Sequence, residues 1–260
     1  MTWAFKRQIL DVIILILFIA GFAFLILYPK LNQAPTCSDF KQNGAETGVD
    51  CGGDCPRACF SVQDELSVVW ARAFRVIPGR YNAVAYITNH NKNSAVRKIN
   101  YRFRFGDENN IYIGKRESST FIPPGGNFAI FEPGIGVGNS IPVYTTFEFT
   151  EAPIWLQVPP EKLSQLKVLV SDIRLTDETT APRLTAVVQN TSLFTVKNLG
   201  VVAILYGTSG NALSVSRTIL DELKPLQSKN IYFTWPEPLS APVVAKEIIP
   251  VFDIFAAKLE

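Results

Sequence analysis

At 260 residues the chain has room for one large domain or two small ones, and 47% apolar against 18% charged residues exclude global disorder. A formal charge of +2, with basic residues spread along the chain, excludes the concentrated positive footprint of a nucleic-acid binder. The 17 prolines and 16 glycines fall between short apolar segments, which predicts an all-β fold.

The first predicted element is an exception. From Ile9 to Tyr28 the chain reads "ILDVIILILFIAGFAFLILY", interrupted by a single charge, Asp11. A helix of about 20 apolar residues at 1.5 Å rise crosses a hydrocarbon core of roughly 30 Å, and in lipid only a helix satisfies its own backbone. A transmembrane helix is therefore expected over 9–29, in contact with the lipid bilayer. The alternative is a cleaved signal peptide, whose apolar core is usually about 7–15 residues and ends in a small-residue site. The run here is longer and no clean A-x-A site follows it. Lys6 and Arg7 precede the run and Lys30 follows it. That bias predicts residues 1–8 as a tail inside the cell and the C-terminal domains outside, in a single-pass plasma-membrane protein.

All four cysteines, Cys37, Cys51, Cys55 and Cys59, fall in "CSDFKQNGAETGVDCGGDCPRAC", part of a stalk expected over 30–60. The spacing lacks the paired C-x2-4-C knuckles of structural zinc sites, and beyond a membrane thiols pair. Disulfides are expected, with three connectivities left open. Asp39, Asn43, Glu46 and Asp50 offer oxygen donors at spacings that would ring a hard cation such as Ca2+. The preferred reading is that they cap turns while Gly52 and Gly53 take positive φ. No other cofactor is expected. The stretch resembles a short cysteine-rich motif of secreted and surface proteins, C-x-D-x-x-x-N-G-x-E-T-G-V-D-C-G-G-x-C, with Asp39, Asn43, Glu46, Asp50, Gly52 and Gly53 at the motif's positions.

Beyond Phe60 the pattern changes to period two. "INYRFRFGDENN" sets Ile99, Tyr101, Phe103 and Phe105 on one face, with Asn100, Arg102 and Arg104 on the other. Arg102 and Arg104 are candidate binding residues on what is otherwise a solvated strand face. The same design recurs about a hundred residues later. Val96–Asn110 lies opposite Val196–Gly210 without a gap, the segment from Tyr81 parallels that from Arg183, and "AFRVI" (Ala73–Ile77) parallels "DIRLT" (Asp172–Thr176). Phe121–Pro133 parallels Leu223–Pro238, each closing on Glu-Pro. Two units of about seven strands predict tandem immunoglobulin-like β-sandwiches, over 61–158 and 159–260, joined at a stiff Pro159-Pro160 connector. The second half resembles the FxLYD group of bacterial sandwich domains through "VKNLGVVAILYGTSGNAL" and "LKPLQSKNIYFTW", with Gly207 where the family's motif ends in Asp. The first half, through "NHNKNSAVRKINYRF", resembles the WHy and late-embryogenesis-abundant sandwiches. These resemblances imply non-catalytic envelope modules.

Chemistry is sparse. His90, the only histidine, lies in the polar turn "TNHNKN", and neither "GVGNSIPV" nor "PPGGN" has phosphate-cradling spacing. Asn190 opens an N-T-S sequon. The stretch Phe131–Phe149 reads as a long glycine-rich loop entering a strand, either a place where binding residues often sit or a Greek-key crossover covering the core. The expectation is a non-enzymatic, membrane-anchored scaffold of the cell envelope, binding an envelope protein or polysaccharide through loops or edges. The alternative is an accessory subunit of an envelope enzyme, or a carbohydrate-binding module.

Overall fold

The structure, a computed structural model, describes residues 3–31 and 34–259. Residues 1–2 of the expected tail, 32–33 of the expected stalk and 260 of the expected second sandwich lie outside the described residues, as do the side chains of Lys6 and Lys30. The chain divides into two compact units, Met1–Gly53 and Asp54–Glu260.

In the first unit a single helix, α1, runs over Trp3–Leu31. Its stretch Arg7–Tyr28 is long and apolar enough to cross a membrane. Every side chain in that stretch is exposed except Ala23, which is half-buried. From Cys37 the chain turns repeatedly, with Gly48 and Cys51 bridged to each other. All four cysteines of the chain are in disulfides.

The sheets of the second unit are all antiparallel, and the unit repeats itself. The first seven strands are β1 (Ser67–Ile77), β2 (Arg80–Asn89), β3 (Ser94–Gly106), β4 (Tyr112–Ile122), β5 (Gly126–Gly136), β6 (Tyr144–Phe149) and β7 (Leu156–Gln157). After a short helix, α2 (Pro160–Gln165), come β8 (Val168–Thr176), β9 (Arg183–Asn190), β10 (Phe194–Tyr206), β11 (Ala212–Leu223), β12 (Ser228–Thr234), β13 (Ala245–Val251) and β14 (Lys258–Leu259). Each half builds a sandwich on one plan. The first pairs β1-β2-β5 in one sheet and β4-β3-β6 in the other, with β7 added to β3. The second pairs β8-β9-β12 and β11-β10-β13, with β14 added to β10.

Local sequence explains the shared plan. In β3, Ile99, Tyr101, Phe103 and Phe105 are at most 4% exposed while the intervening residues face out, as period-two alternation requires. The turns after β3 and β10 close identically: Asp107 N–H donates to Ile111 O and Gly207 N–H to Asn211 O, both at 3.0 Å. Asn110 and Gly210 take the positive φ those turns need, 59° and 75°. A buried asparagine braces each half. Asn89 Nδ2 donates to Ser94 O (3.2 Å) and Pro123 O (2.8 Å), and Asn91 N–H donates to its Oδ1 (2.9 Å). Asn190 Nδ2 donates to Phe194 O, Leu223 O and Lys224 O, and Ser192 N–H to its Oδ1. In both halves one amide ties the end of the second strand to two later segments.

The four sheets stack face to face around three apolar layers. The first sandwich has its own core, built on Ile87, Ile99, Phe103 and Phe128. The second has another, built on Leu184, Leu199, Leu205 and Phe233. Between them the outer face of β1-β2-β5 meets the outer face of β11-β10-β13, joining Phe74, Val84, Tyr86 and Phe131 to Val202, Ile204, Val215 and Ile249. Strands β2 and β10 are thus covered on both faces, and Ala83–Ile87 and Val201–Leu205 are buried without interruption. The connector is covered too: Val158 and Leu166, with Ala95 of the first sandwich, belong to the second core. The stiff connector expected at Pro159 and Pro160 is thus flanked by residues packed into the second core.

The expected loop over Phe131–Phe149 is shorter than its glycines suggest. Strand β5 continues to Gly136, with Gly134 at φ 65° and a register shift absorbing the irregularity, so only residues 137–143 form the loop.

Candidate functional site

In the cysteine-rich stretch the carboxylates face backbone amides. Asp50 accepts from Asp39 N–H (2.9 Å) and from Phe40 N–H with both oxygens (3.1 and 3.0 Å). Asp39 accepts from Lys41 N–H (3.0 Å) and Asn43 Nδ2 (2.9 Å), and Glu46 accepts from Asn43 N–H (3.2 Å). The Asn43 amide, ahead of its other partners, holds the Asp39 carboxyl below the usual carboxylate range. These are turn-capping contacts. Gly53, at φ 56°, could not carry a Cβ, which would fall 1.7 Å from Ala45 O. Downstream, Cys55 and Cys59 are buried in the sandwich unit. There Ala58 N–H donates to Trp155 O (3.0 Å) and Gln157 N–H to Pro56 O (2.8 Å).

Arg102 and Arg104 stand on the outer face of the β4-β3-β6 sheet, within a ladder of cross-strand charges. Arg102 pairs with Glu117 and with Glu148 (3.1 Å), Arg104 with Glu148 (3.2 Å) and Lys115 with Glu117 (3.1 Å). The hydrogen bond from Arg102 is the main reason the Glu117 carboxyl sits below its ordinary range. Opposite charges on adjacent strands hold a solvated face in register, and each pair there is worth little. Asn190 is fully buried with its Nδ2 committed to three carbonyls, so the folded sequon presents no amide for glycosylation.

At the pole away from the chain's entry into β1, five apolar side chains are exposed: Ile111, Tyr112, Ile141, Val143 and Tyr144. Gly106 gathers them, since it pairs with Tyr112 on one side and Tyr144 on the other and accepts from Val143 N–H (2.9 Å). The glycine-rich loop therefore does carry exposed apolar groups to a tip.

The seam between the sandwiches holds the most unusual chemistry. A half-open cavity of about 450 Å3 lies where the β4 and β5 edges meet the outer face of β10 and β11. Glu132, 5% exposed, points inward from β5 beside it, accepting from the Tyr101 hydroxyl and from Arg116 Nε (2.9 Å). Burial first, then the bond to Glu132, pushes the Tyr101 phenol above the tyrosine range. Across the cavity Arg217 lies over the Phe131 ring at 5.0 Å and donates from Nη1 to Phe131 O (3.1 Å). Burial lowers its guanidinium, with Glu132 and Tyr101 opposing. Asn198, at φ 49° within β10, forms part of the same wall. Elsewhere in the seam Glu247 accepts from both Tyr86 and Tyr206 at 2.7 Å, and burial ahead of those bonds pushes Tyr86 up to about 12 and Tyr206 higher.

The polar seam residues carry one signal in a linear reading. The shared Glu-Pro pairs set Glu132 beside Glu237. Strand register instead opposes Glu132 to Ala83 and Phe233 to Leu184, so Phe233 is the true counterpart. The readable signal is Glu132 in phase with Phe128 and Ile130, an acid on the inward face of a strand.

Comparison with known proteins adds little. No family model and no curated protein matches the sequence. Among solved structures, the crystal structure of red sea bream transglutaminase matches at 8% identity with a TM-score of 0.23, over 72% of this chain and 31% of that one. A similarity that loose carries no argument about this chain.

Proposed function

We propose that this chain is a single-pass, membrane-anchored scaffold of the cell envelope, with its N-terminus inside and its double sandwich outside, binding a partner through the apolar tip. The observation that carries the reading is α1, whose stretch Arg7–Tyr28 is long and apolar enough to cross a membrane. Such a helix is stable only in lipid or inside a protein. The bridged cysteines support an oxidising compartment. The seam supports a rigid rather than a hinged display of the tip, because two sandwiches sharing a core move as one body. The Ile111–Tyr144 cluster supports protein contact, since a gathered apolar tip on a soluble domain usually marks an interaction surface. The FxLYD-like and WHy-like resemblances fit the same role, as does the absence of any demand for catalysis in it.

Topology and contact are tested together on intact cells. Protease added outside is expected to remove the sandwiches and spare α1, and sandwiches protected until the membrane is broken would contradict the reading. A photo-crosslinking residue at Tyr112 or Tyr144 is expected to capture a partner that the same residue at Lys115 does not. Capture from all three positions alike would remove the tip from the proposal.

A further inference from the structure

The two sandwiches share a register, so each position in one has a counterpart that reports what the fold alone requires. Tyr101 corresponds to Val201, Glu132 to Phe233 and Arg116 to Ser216, as the pairings of β3 with β4 and β10 with β11 show. The second sandwich closes this edge with apolar groups, and Val201 and Phe233 are at most 1% exposed. The first closes it with a buried carboxylate, a buried phenol and an arginine. A carboxylate buried against a half-exposed arginine rarely stabilises more than the apolar packing it displaces, so this substitution is not a requirement of the fold. It is also the one edge that opens onto the seam cavity.

The charges around that cavity do not balance. Glu132 is neutralised by Arg116, and among the described residues no carboxylate comes within ion-pairing distance of Arg217. Arg217 therefore offers its remaining N–H donors to the cavity, held flat by Phe131 and half-withdrawn from water. An arginine fixed in this way suits the planar carboxylate of a ligand. Ser118 and Thr120 from β4 and Asn198 from β10 add short groups that both donate and accept, beside apolar wall from Phe121, Pro133 and Ile219. Asn198 is held at positive φ, a conformation that non-glycine residues keep at a cost and that recurs at binding sites. The volume, about 450 Å3, lies within the usual range for small-ligand sites.

We propose that the seam cavity binds an acidic saccharide, its carboxylate on Arg217 and its ring hydroxyls on Ser118, Thr120 and Asn198. Paired donor-acceptor groups suit vicinal hydroxyls, and the apolar groups beside them suit the C–H face of a sugar ring. Both sandwiches contribute to the site, so it exists only while the seam is closed. The proposal does not rest on the membrane topology or on the apolar tip, and either can fail without the other.

The test is calorimetric titration of the full chain in lipid nanodiscs with di- and trigalacturonate, matched neutral galactose oligomers, inorganic phosphate and a glutamate-rich peptide. Galacturonate is expected to bind saturably, and the neutral sugar, phosphate and peptide at least tenfold more weakly. Arg217→Gln is expected to lose at least tenfold in affinity for galacturonate. Ser118→Ala, at an exposed position, is expected to lose a few-fold and guards against misfolding of the first variant. The proposal is overturned by no saturable galacturonate binding, by neutral sugar, phosphate or peptide binding as tightly, or by both variants binding like the parent chain.

Discussion

The first and second sandwiches are built on one plan and stabilised in different ways. Strand order, the bracing asparagine and the turn after the third strand repeat between them, which marks those features as the fold's own requirements. Where the halves part company, the second sandwich uses Val201 and Phe233, and the first uses Tyr101 and Glu132 beside an open cavity. The difference teaches that a tandem repeat contains its own control. A residue that departs from its counterpart at a buried position is answering to something other than folding.

The strongest way to break that comparison is to exchange the two edges. Phe233→Glu would place a carboxylate among apolar neighbours with no tyrosine or arginine to meet it, and a loss of more than about 4 kcal/mol is expected in denaturant unfolding. Glu132→Phe should cost less, about 2 kcal/mol, mainly by orphaning the Tyr101 hydroxyl. Adding Tyr101→Val should recover part of that loss. No recovery in the double variant would mean that the polar edge is itself structural.

The bracing amides rank next. Asn190→Ala removes three donated bonds and Asn89→Ala two, so losses of about 3 and about 2 kcal/mol are expected, in that order. The reverse order would show that the repeats are not equivalent at this point.

The seam tyrosines carry a pH signature, displaced in the same direction as Tyr101. Tyr86 has a folded value of about 12 against 10.0 for a free phenol, and Tyr206 is displaced in the same direction. Values raised on folding mean that the contribution of these phenols is complete below pH about 10. It is lost as pH climbs through about 12, when a phenolate would face Glu247. The melting temperature should fall through that window in the parent chain and fall less in a Tyr86→Phe, Tyr206→Phe double variant.

Smaller effects are expected where the contacts are exposed. Millimolar calcium should leave the melting temperature unchanged, since Asp39, Glu46 and Asp50 already cap turns. A rise of several degrees would assign them to a calcium site instead. Arg104→Ala should change stability by less than about 0.5 kcal/mol, as a single member of a solvated charge ladder.

Much of the fold was legible because it rests on short-range rules. Alternation in "INYRFRF", an Asn-bearing turn after each second strand and a gapless hundred-residue repeat all act within one strand or hairpin. The apolar run at the N-terminus has a period and length that speak for themselves. The seam was partly readable, since Ala83–Ile87 and Val201–Leu205 are continuous apolar runs, the pattern of strands covered on both faces. The glycines of Phe131–Phe149 misled, because a bulged strand tolerates glycine as readily as a loop does.

By itself, then, the sequence determined the helix, the bridged segment and two seven-strand sandwiches, each through contacts between residues near in sequence or paired by alternation. Tertiary structure alone decided that the sandwiches share a third core, and that Glu132 and Arg217 stand on opposite walls of one cavity. Those groups lie 85 residues apart by number and on different sandwiches. No period links them; only the packing of one sheet face on another brings them together.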